Sequence, residues 1–248
     1  MSSYQNWNIE HLSPSTCNMF AESPAAFVLF KIFNKKNSVG PAAHRGTAVE
    51  AGIAKGLLEG APLAECVREA VVTFNGLTAL SADPRREKEA ASLEAMVQFG
   101  LDELRPYGPP SSSQGKVEHF VEGIPVPIIG YYDFVWEKHK VVIDLKTTGQ
   151  LPSKISDAHA RQVALYQKCL GFEKAYITYV TPKKSATYIL ENGPQHLSAL
   201  ESIAKSITEF VSYSDDPMKL ARLIAPNTGS FYFSDPIARK AVYEIWKV

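Results

Sequence analysis

Two extended segments stand out near the middle of the chain from the order of their apolar and polar residues. Val126 to Trp136 is rich in β-branched and aromatic residues, a composition that favours a strand. Val141 to Thr148 is a second. Because strand side chains alternate between faces, Asp144 and Lys146 share one face of this segment while Ile143 and Leu145 occupy the other. The polar stretch Glu137-Lys-His-Lys140 between them is short enough for a hairpin turn, and pairing across it brings Asp133 close to Asp144. Upstream, Lys116 to Glu122 also alternates, with Val117, His119 and Val121 on one face and Glu118, Phe120 and Glu122 on the other. Downstream, Ala175 to Thr181 and Ser185 to Leu190 read as strands joined by a Pro-Lys-Lys turn.

Elsewhere the period changes to that of helices. Residues 12 to 33 open with a Ser13 or Ser15 cap and carry Phe20, Phe27, Phe30 and Phe33 as an aromatic stripe suited to core packing. Ala42 to Leu58 forms a second helix in which Gly46, Gly52 and Gly56 permit close approach of another element at some cost in helix propensity. Pro62 to Phe74 and Glu87 to Leu104 are amphipathic, separated by an Asp83-Pro84 turn. After the clear loop from Tyr107 to Gly115 and the strand pair come Ser156 to Leu170, Gln195 to Tyr213, Pro217 to Ile224 and Pro236 to Val248. Strand, helix, strand after the hairpin is an α/β order. No internal repeat is evident.

Composition narrows the class without naming a chemistry. A chain of 248 residues with 45% hydrophobic and 21% charged residues can bury a real core and reads as an ordinary globular protein. Its net charge is zero, so any attraction for a polyanion has to be local. Lys31, Lys35, Lys36, Arg45, Lys154, Arg161, Lys183 and Lys184 are the candidate contacts for phosphate. The three cysteines, Cys17, Cys66 and Cys169, are scattered and odd in number, which gives neither a disulfide framework nor a zinc pattern. With no signal-peptide pattern and no apolar run of membrane length, the expectation is a cytoplasmic protein without a membrane partner.

The chemistry concentrates on Asp133, Asp144 and Lys146. Two carboxylates held close in a partly dry site repel each other unless a cation neutralises them, and hard oxygen ligands suit Mg²⁺ or Mn²⁺. The plainer alternative is a same-face ion pair of little energetic value. Against it stands the setting of Asp144 within Val-Val-Ile-x-Leu, where an unbalanced carboxylate is costly.

Asp133, ten residues, then Asp144-Leu-Lys146, followed by Gln162-Val-Ala-Leu-Tyr166, resembles the PD-(D/E)XK nuclease superfamily and, through the QxxxY motif, its RecB-like and Cas4-like exonuclease branch. The Ser13-x-Ser15 opening with Phe20 is similar to the first helix of RecB-like nucleases. Relatives often read R-G-T-x-x-H where this chain reads Arg45-Gly-Thr-Ala-Val-Glu50, so Glu50 stands in the place of a metal-binding histidine and an all-oxygen shell is implied. His44, six residues earlier, is off the helical face of Glu50 and ranks below it. His119, His139, His159 and His196 show no ligand spacing and are expected at the surface. Some relatives hold an iron–sulfur cluster with four cysteines; this chain has none after Cys169, so no cluster is expected.

The resemblance implies a restriction-endonuclease-like α/β core, a central mixed sheet flanked by helices, with an N-terminal helical region. Residues 1–106 would form that region and 116–248 the nuclease core, integrated as one domain. It implies metal ligation by Glu50, Asp133, Asp144 and the Leu145 main-chain carbonyl, with Glu118 and His44 as weaker candidates. Lys146 would position a water and stabilise the developing negative charge, Gln162 and Tyr166 would orient the nucleic-acid backbone or the lysine, and Arg45, Lys154 and Arg161 would touch phosphate. The implied activity is a metal-dependent DNA exonuclease of recombination, replication or repair, of the kind phages encode and then acting in the host cytoplasm. The chain lacks G-x-x-x-x-G-K-[ST], so a helicase, a recombinase, a single-strand-binding protein or self-assembly would supply processivity. A non-cleaving DNA-end-binding module and an RNA-processing nuclease remain the alternatives.

Overall fold

The computed structural model describes residues 4–35 and 39–248; Lys36, one of the candidate phosphate contacts, lies outside them. Two compact units emerge. The first comprises Met1–Ser38, Lys116–Gly130 and Asn192–Val248, and the second Val39–Gly115 and Tyr131–Glu191.

The second unit contains the heart of a five-stranded mixed sheet whose spatial order follows the chain: β1 (Ser112–His119), β2 (Ile128–Trp136), β3 (Val141–Thr147), β4 (Lys174–Val180) and β5 (Ser185–Ile189). β2 and β3 form the expected antiparallel hairpin, with Phe134 opposite Ile143 and Trp136 opposite Val141. Lys140 takes a left-handed φ of 48° to close the turn. β3 then pairs in parallel with β4, Lys146 facing Tyr179 across the ladder, and the intervening helix α7 (Asp157–Leu170) supplies the crossover that a parallel pair requires. Ser156 caps α7 by accepting the His159 N–H, and Gly171 ends it with a φ of 66°. β5 returns antiparallel to β4.

Against one face of this sheet pack α3 (Pro41–Leu58), α4 (Leu63–Leu77) and α6 (Leu93–Leu104), the last preceded by the short α5 (Arg86–Ala90). Ile53, Leu57, Phe74, Met96 and Leu101 from these helices bury themselves with Phe134, Trp136, Ile143 and Leu145 from the strands. Each such fully buried side chain contributes about 1.5–3 kcal/mol. The glycines of α3 do what their spacing suggests: a Cβ at Gly52 would come within 2.6 Å of the Cys66 carbonyl on α4, and one at Gly56 within 2.9 Å of the Cys66 Sγ.

The first unit begins with α1 (Pro14–Glu22), capped by Ser13 accepting the Thr16 N–H. A single helix over 12–33 is not what forms. Pro24 has no N–H to donate, so the chain restarts at Ser23 as α2 (Pro24–Phe27), and Val28–Ile32 winds on as a π-helical turn closed by the Phe33 N–H to the Val28 carbonyl at 2.9 Å. Phe20, Phe27 and Phe210 stack in edge and tilted contacts, the last from α8 (Gly193–Ser212). Ala26, Leu29 and Phe30 join Phe233 and Val242 in a second core; Val242 lies in α10 (Pro236–Trp246), which follows α9 (Pro217–Arg222).

Two other expectations shift. The helix over Glu87–Leu104 is interrupted at Ala91 and Ser92, where the Ser92 hydroxyl bonds the Glu89 carbonyl. The first strand starts at Ser112 rather than Lys116, so the last residues of the expected loop are extended. Among the described residues no helix is long and apolar enough to cross a membrane.

Candidate active site

Asp144 sits in the central strand with only 1% of its surface exposed. Continuing the β2–β3 register by one residue places Asp133 opposite it, on the same face of the hairpin. There the backbone ladder gives way to a side chain: Asp133 Oδ2 accepts the Leu145 N–H at 2.6 Å. Leu145, expected to offer its carbonyl, is thus joined to the cluster by its N–H. Lys146 Nζ lies 2.8 Å from Asp144 Oδ2, the neighbour that alternation along β3 predicts. Apart from that ion pair, both Asp144 oxygens are buried without a hydrogen-bonding partner.

Glu50 comes to the same place from α3, which packs on the sheet. Its carboxyl lies within hydrogen-bonding reach of Asp133, and the side-chain amide of Gln114, on β1, donates to Glu50 and, at 3.3 Å, to Asp133. From the crossover helix, Tyr166 is 1% exposed; Gln162 Nε2 donates to its hydroxyl at 2.6 Å, and that hydroxyl also bonds the main chain of Tyr131. The QxxxY spacing therefore works as one turn of α7 holding a tyrosine with its own glutamine.

The electrostatics follow from this crowding. Burial pushes the Asp133 carboxyl well above the usual carboxylate range, and the charges of Asp144 and Glu50 push it further, against the pull of Lys146 and the Leu145 N–H. Glu50 is raised by burial and then by Asp144. For Lys146 burial works downward, but Asp144, Asp133 and Glu50 outweigh it and hold the ammonium charged more firmly than a free lysine. Burial and the nearby Asp144 raise the Tyr166 phenol, so it is a hydrogen-bonding group rather than an anion. Three carboxyl groups share one ammonium here, which is a deficit of positive charge.

A divalent cation fits that deficit. The donor set is all hard oxygen, and beyond the Lys146 ammonium the buried Asp144 oxygens have no donor. Among the described residues, however, no three His, Cys, Asp or Glu side chains already form a ligand group. The Gln114 amide and the Lys146 ammonium take up part of the carboxylates' bonding.

The remaining expected residues have surroundings of their own. Arg45 turns inward: it is 8% exposed, its guanidinium pairs with Glu89 and approaches Thr147 Oγ1 at 3.5 Å, and its Nε is buried without a partner. His44 is half-buried on α3, Lys154 is exposed and Arg161 half-buried. Glu118 belongs to the first unit, is exposed and pairs with Lys116. Lys31, Lys35, Lys183 and Lys184 are exposed. Two histidines expected at the surface are instead half-buried with partners, His119 with Glu201 at 2.7 Å and His159 with the Tyr179 hydroxyl at 2.8 Å. His159 lies three residues before Gln162 on α7, and Tyr179 faces Lys146 across the β3–β4 ladder, a link that residue spacing alone does not reveal.

Gln114 was not among the residues singled out. It sits at a φ of 53°, left-handed for a residue with a full side chain, at a cost of roughly 1–2 kcal/mol. The next residue, Gly115, has no room for a Cβ because the Tyr132 ring fills that space, and the Tyr132 hydroxyl is tied to Ser112 Oγ at 3.0 Å. From this left-handed position the Gln114 amide reaches the carboxylates.

In sequence comparison, no curated protein matches the chain. Among solved structures, the crystal structure of SSO0001 aligns with a TM-score of 0.38 and 17% identity, over 74% of this chain and 96% of that one, too loose a likeness to argue from. A model of the PD-(D/E)XK nuclease superfamily matches residues 11–228. The mixed five-stranded sheet flanked by helices agrees with the restriction-endonuclease-like α/β fold. The acidic pair and lysine on one hairpin, in a chain matched over most of its length, lead to one assignment: the protein belongs to the PD-(D/E)XK nuclease superfamily.

Proposed function

We propose that this protein is a metal-dependent DNA exonuclease of the RecB-like branch, serving recombination, replication or repair. Nucleases of this superfamily typically use Mg²⁺ or Mn²⁺. The observation that carries the reading is the burial of Asp144 between Asp133 and Lys146, with Glu50 adjoining. When bound, the ion supplies Lewis acidity toward a phosphate oxygen and a water of lowered pKa. Glu50, Asp133 and Asp144 would hold it, with the Leu145 carbonyl as a further candidate oxygen.

The chain's own groups do the rest. Lys146, kept charged by its carboxylate neighbours, places a donor beside the site where negative charge grows during attack on phosphorus. Tyr166, neutral and locked by Gln162, orients the backbone of the bound strand or the lysine through its hydroxyl. Lys154 and Arg161 are the proposed phosphate contacts outside the cluster. Arg45, paired with Glu89, serves better to fix α3 and so the position of Glu50.

The test is end-labelled linear DNA beside covalently closed circular DNA, each with Mg²⁺, Mn²⁺ or EDTA, with wild type and Lys146→Ala. Metal-dependent loss of the linear substrate alone, reduced at least about 10³-fold in the variant, is the expected result. Cleavage of the closed circle would make the enzyme an endonuclease. Inert DNA under every condition would move the reading to an RNA substrate or to a non-cleaving DNA-end-binding module.

A further inference from the structure

We infer that Gln114 belongs to the metal site, giving its side-chain oxygen to the ion when the site is loaded and its amide N–H groups to Glu50 and Asp133 when it is not. The inference rests on the metal reading proposed above. Two observations carry it. First, the Gln114 amide is in hydrogen-bonding contact with two of the carboxylates that would hold the ion. Secondly, the backbone takes a left-handed conformation at Gln114, next to a glycine whose Cβ would meet the end of the Tyr132 ring. A strained conformation maintained by its surroundings is a pointer to use.

The chemistry of the amide explains why glutamine suits this position. Facing bare carboxylates, an amide must present its NH₂ group, because oxygen against oxygen repels. Facing a cation, the same side chain can turn about its last bond and present its oxygen from the same position, a hard ligand of the kind Mg²⁺ and Mn²⁺ accept. A glutamate could serve only the second role, since a further carboxylate would add to the repulsion of the metal-free site. Neutral and two-sided, Gln114 keeps Glu50 and Asp133 together in either state.

Mn²⁺ alone, without DNA, is the probe. Its binding to the full chain is measured by titration calorimetry and by the loss of the free Mn²⁺ electron-paramagnetic-resonance signal, for wild type, Gln114→Ala, Gln114→Gly, Gln114→Glu and Asp144→Asn. The expected result is a 10- to 100-fold weaker affinity in the alanine and glycine variants, on the order seen when a metal's supporting groups are removed, with Gln114→Glu equal to wild type or tighter. Glycine relaxes the left-handed backbone, so a loss shared by alanine and glycine comes from the side chain. Unchanged affinity in both, or tighter binding in both because the amide merely competes with the ion, would overturn the inference. If wild type binds no Mn²⁺, or Asp144→Asn binds it as well as wild type, the metal reading itself falls and takes this inference with it.

Discussion

A carboxylate that is 1% exposed in a central strand has to be balanced by charge, and Lys146 does so at 2.8 Å. Removing the ammonium therefore costs stability as well as activity. In EDTA, Lys146→Met is expected to lose about 1–3 kcal/mol, the range for leaving a buried charged group uncompensated when the partner is itself partly exposed. The same change in an Asp144→Asn background should cost little, and urea unfolding of the four proteins would give a coupling of about 1 kcal/mol or more. A coupling near zero would mean the pair contributes nothing to the fold. This pair is legible in the sequence because a strand's period of two leaves no freedom as to which residues stand together. Gln114 is not, since its role depends on a positive φ that no residue type there announces. Arg45 is only half legible: its helix can be read, but its partner Glu89 lies 44 residues on, and the choice between solvent and ion pair is made by packing.

Elements were read best where a period met a hydrophobic face. α3, α7 and the β2–β3 hairpin fall close to the expected boundaries for that reason, whereas the start of β1 is Ser-Ser-Gln-Gly, an edge segment with no apolar alternation to betray it. The break between α1 and α2 lies at Pro24, inside the span of the aromatic stripe. Glycines separate two physical situations within the helices. At Gly52 an added methyl meets the Cys66 carbonyl at 2.6 Å and Val97 at 3.0 Å, whereas at Gly76, exposed near the end of α4, it meets nothing within 4 Å. Gly52→Ala is therefore expected to destabilise by about 1–3 kcal/mol through overpacking. Gly76→Ala should stabilise by about 0.5–1 kcal/mol through helix propensity. Denaturant midpoints at constant m-value check both, and a stabilising Gly52→Ala would mean that α3 and α4 are free to separate.

For the whole molecule, the site's carboxyl groups tie stability to pH and, on the proposed function, to metal. Asp133 and Glu50 are raised in the folded protein, so between the ordinary carboxylate range and their higher folded values the native state binds more protons than the unfolded chain. Stability from these groups is then greatest in acid and falls as pH rises. Lys146, also raised, loses its contribution only in the alkaline range of free lysine and above, and Asp83, lowered to about 2 by Arg85, only in strong acid; neither disturbs the window. Without metal, the melting temperature should fall from pH 5 to pH 8, and Asp133→Asn should flatten that fall. Saturating Mn²⁺ should raise it more at pH 8 than at pH 5, where protons compete for the same oxygens. Equal metal effects at the two pH values would show that the ion binds elsewhere.

The interleaving of the two units along the chain also sets an order of events during synthesis. Every strand and helix of the second unit has been synthesised once Glu191 is made, whereas Ala26, Leu29 and Phe30 must wait for Phe233 and Val242 before their apolar faces are covered. This segment is thus made before the second unit and completed after it, and during that interval its uncovered apolar face is open to aggregation.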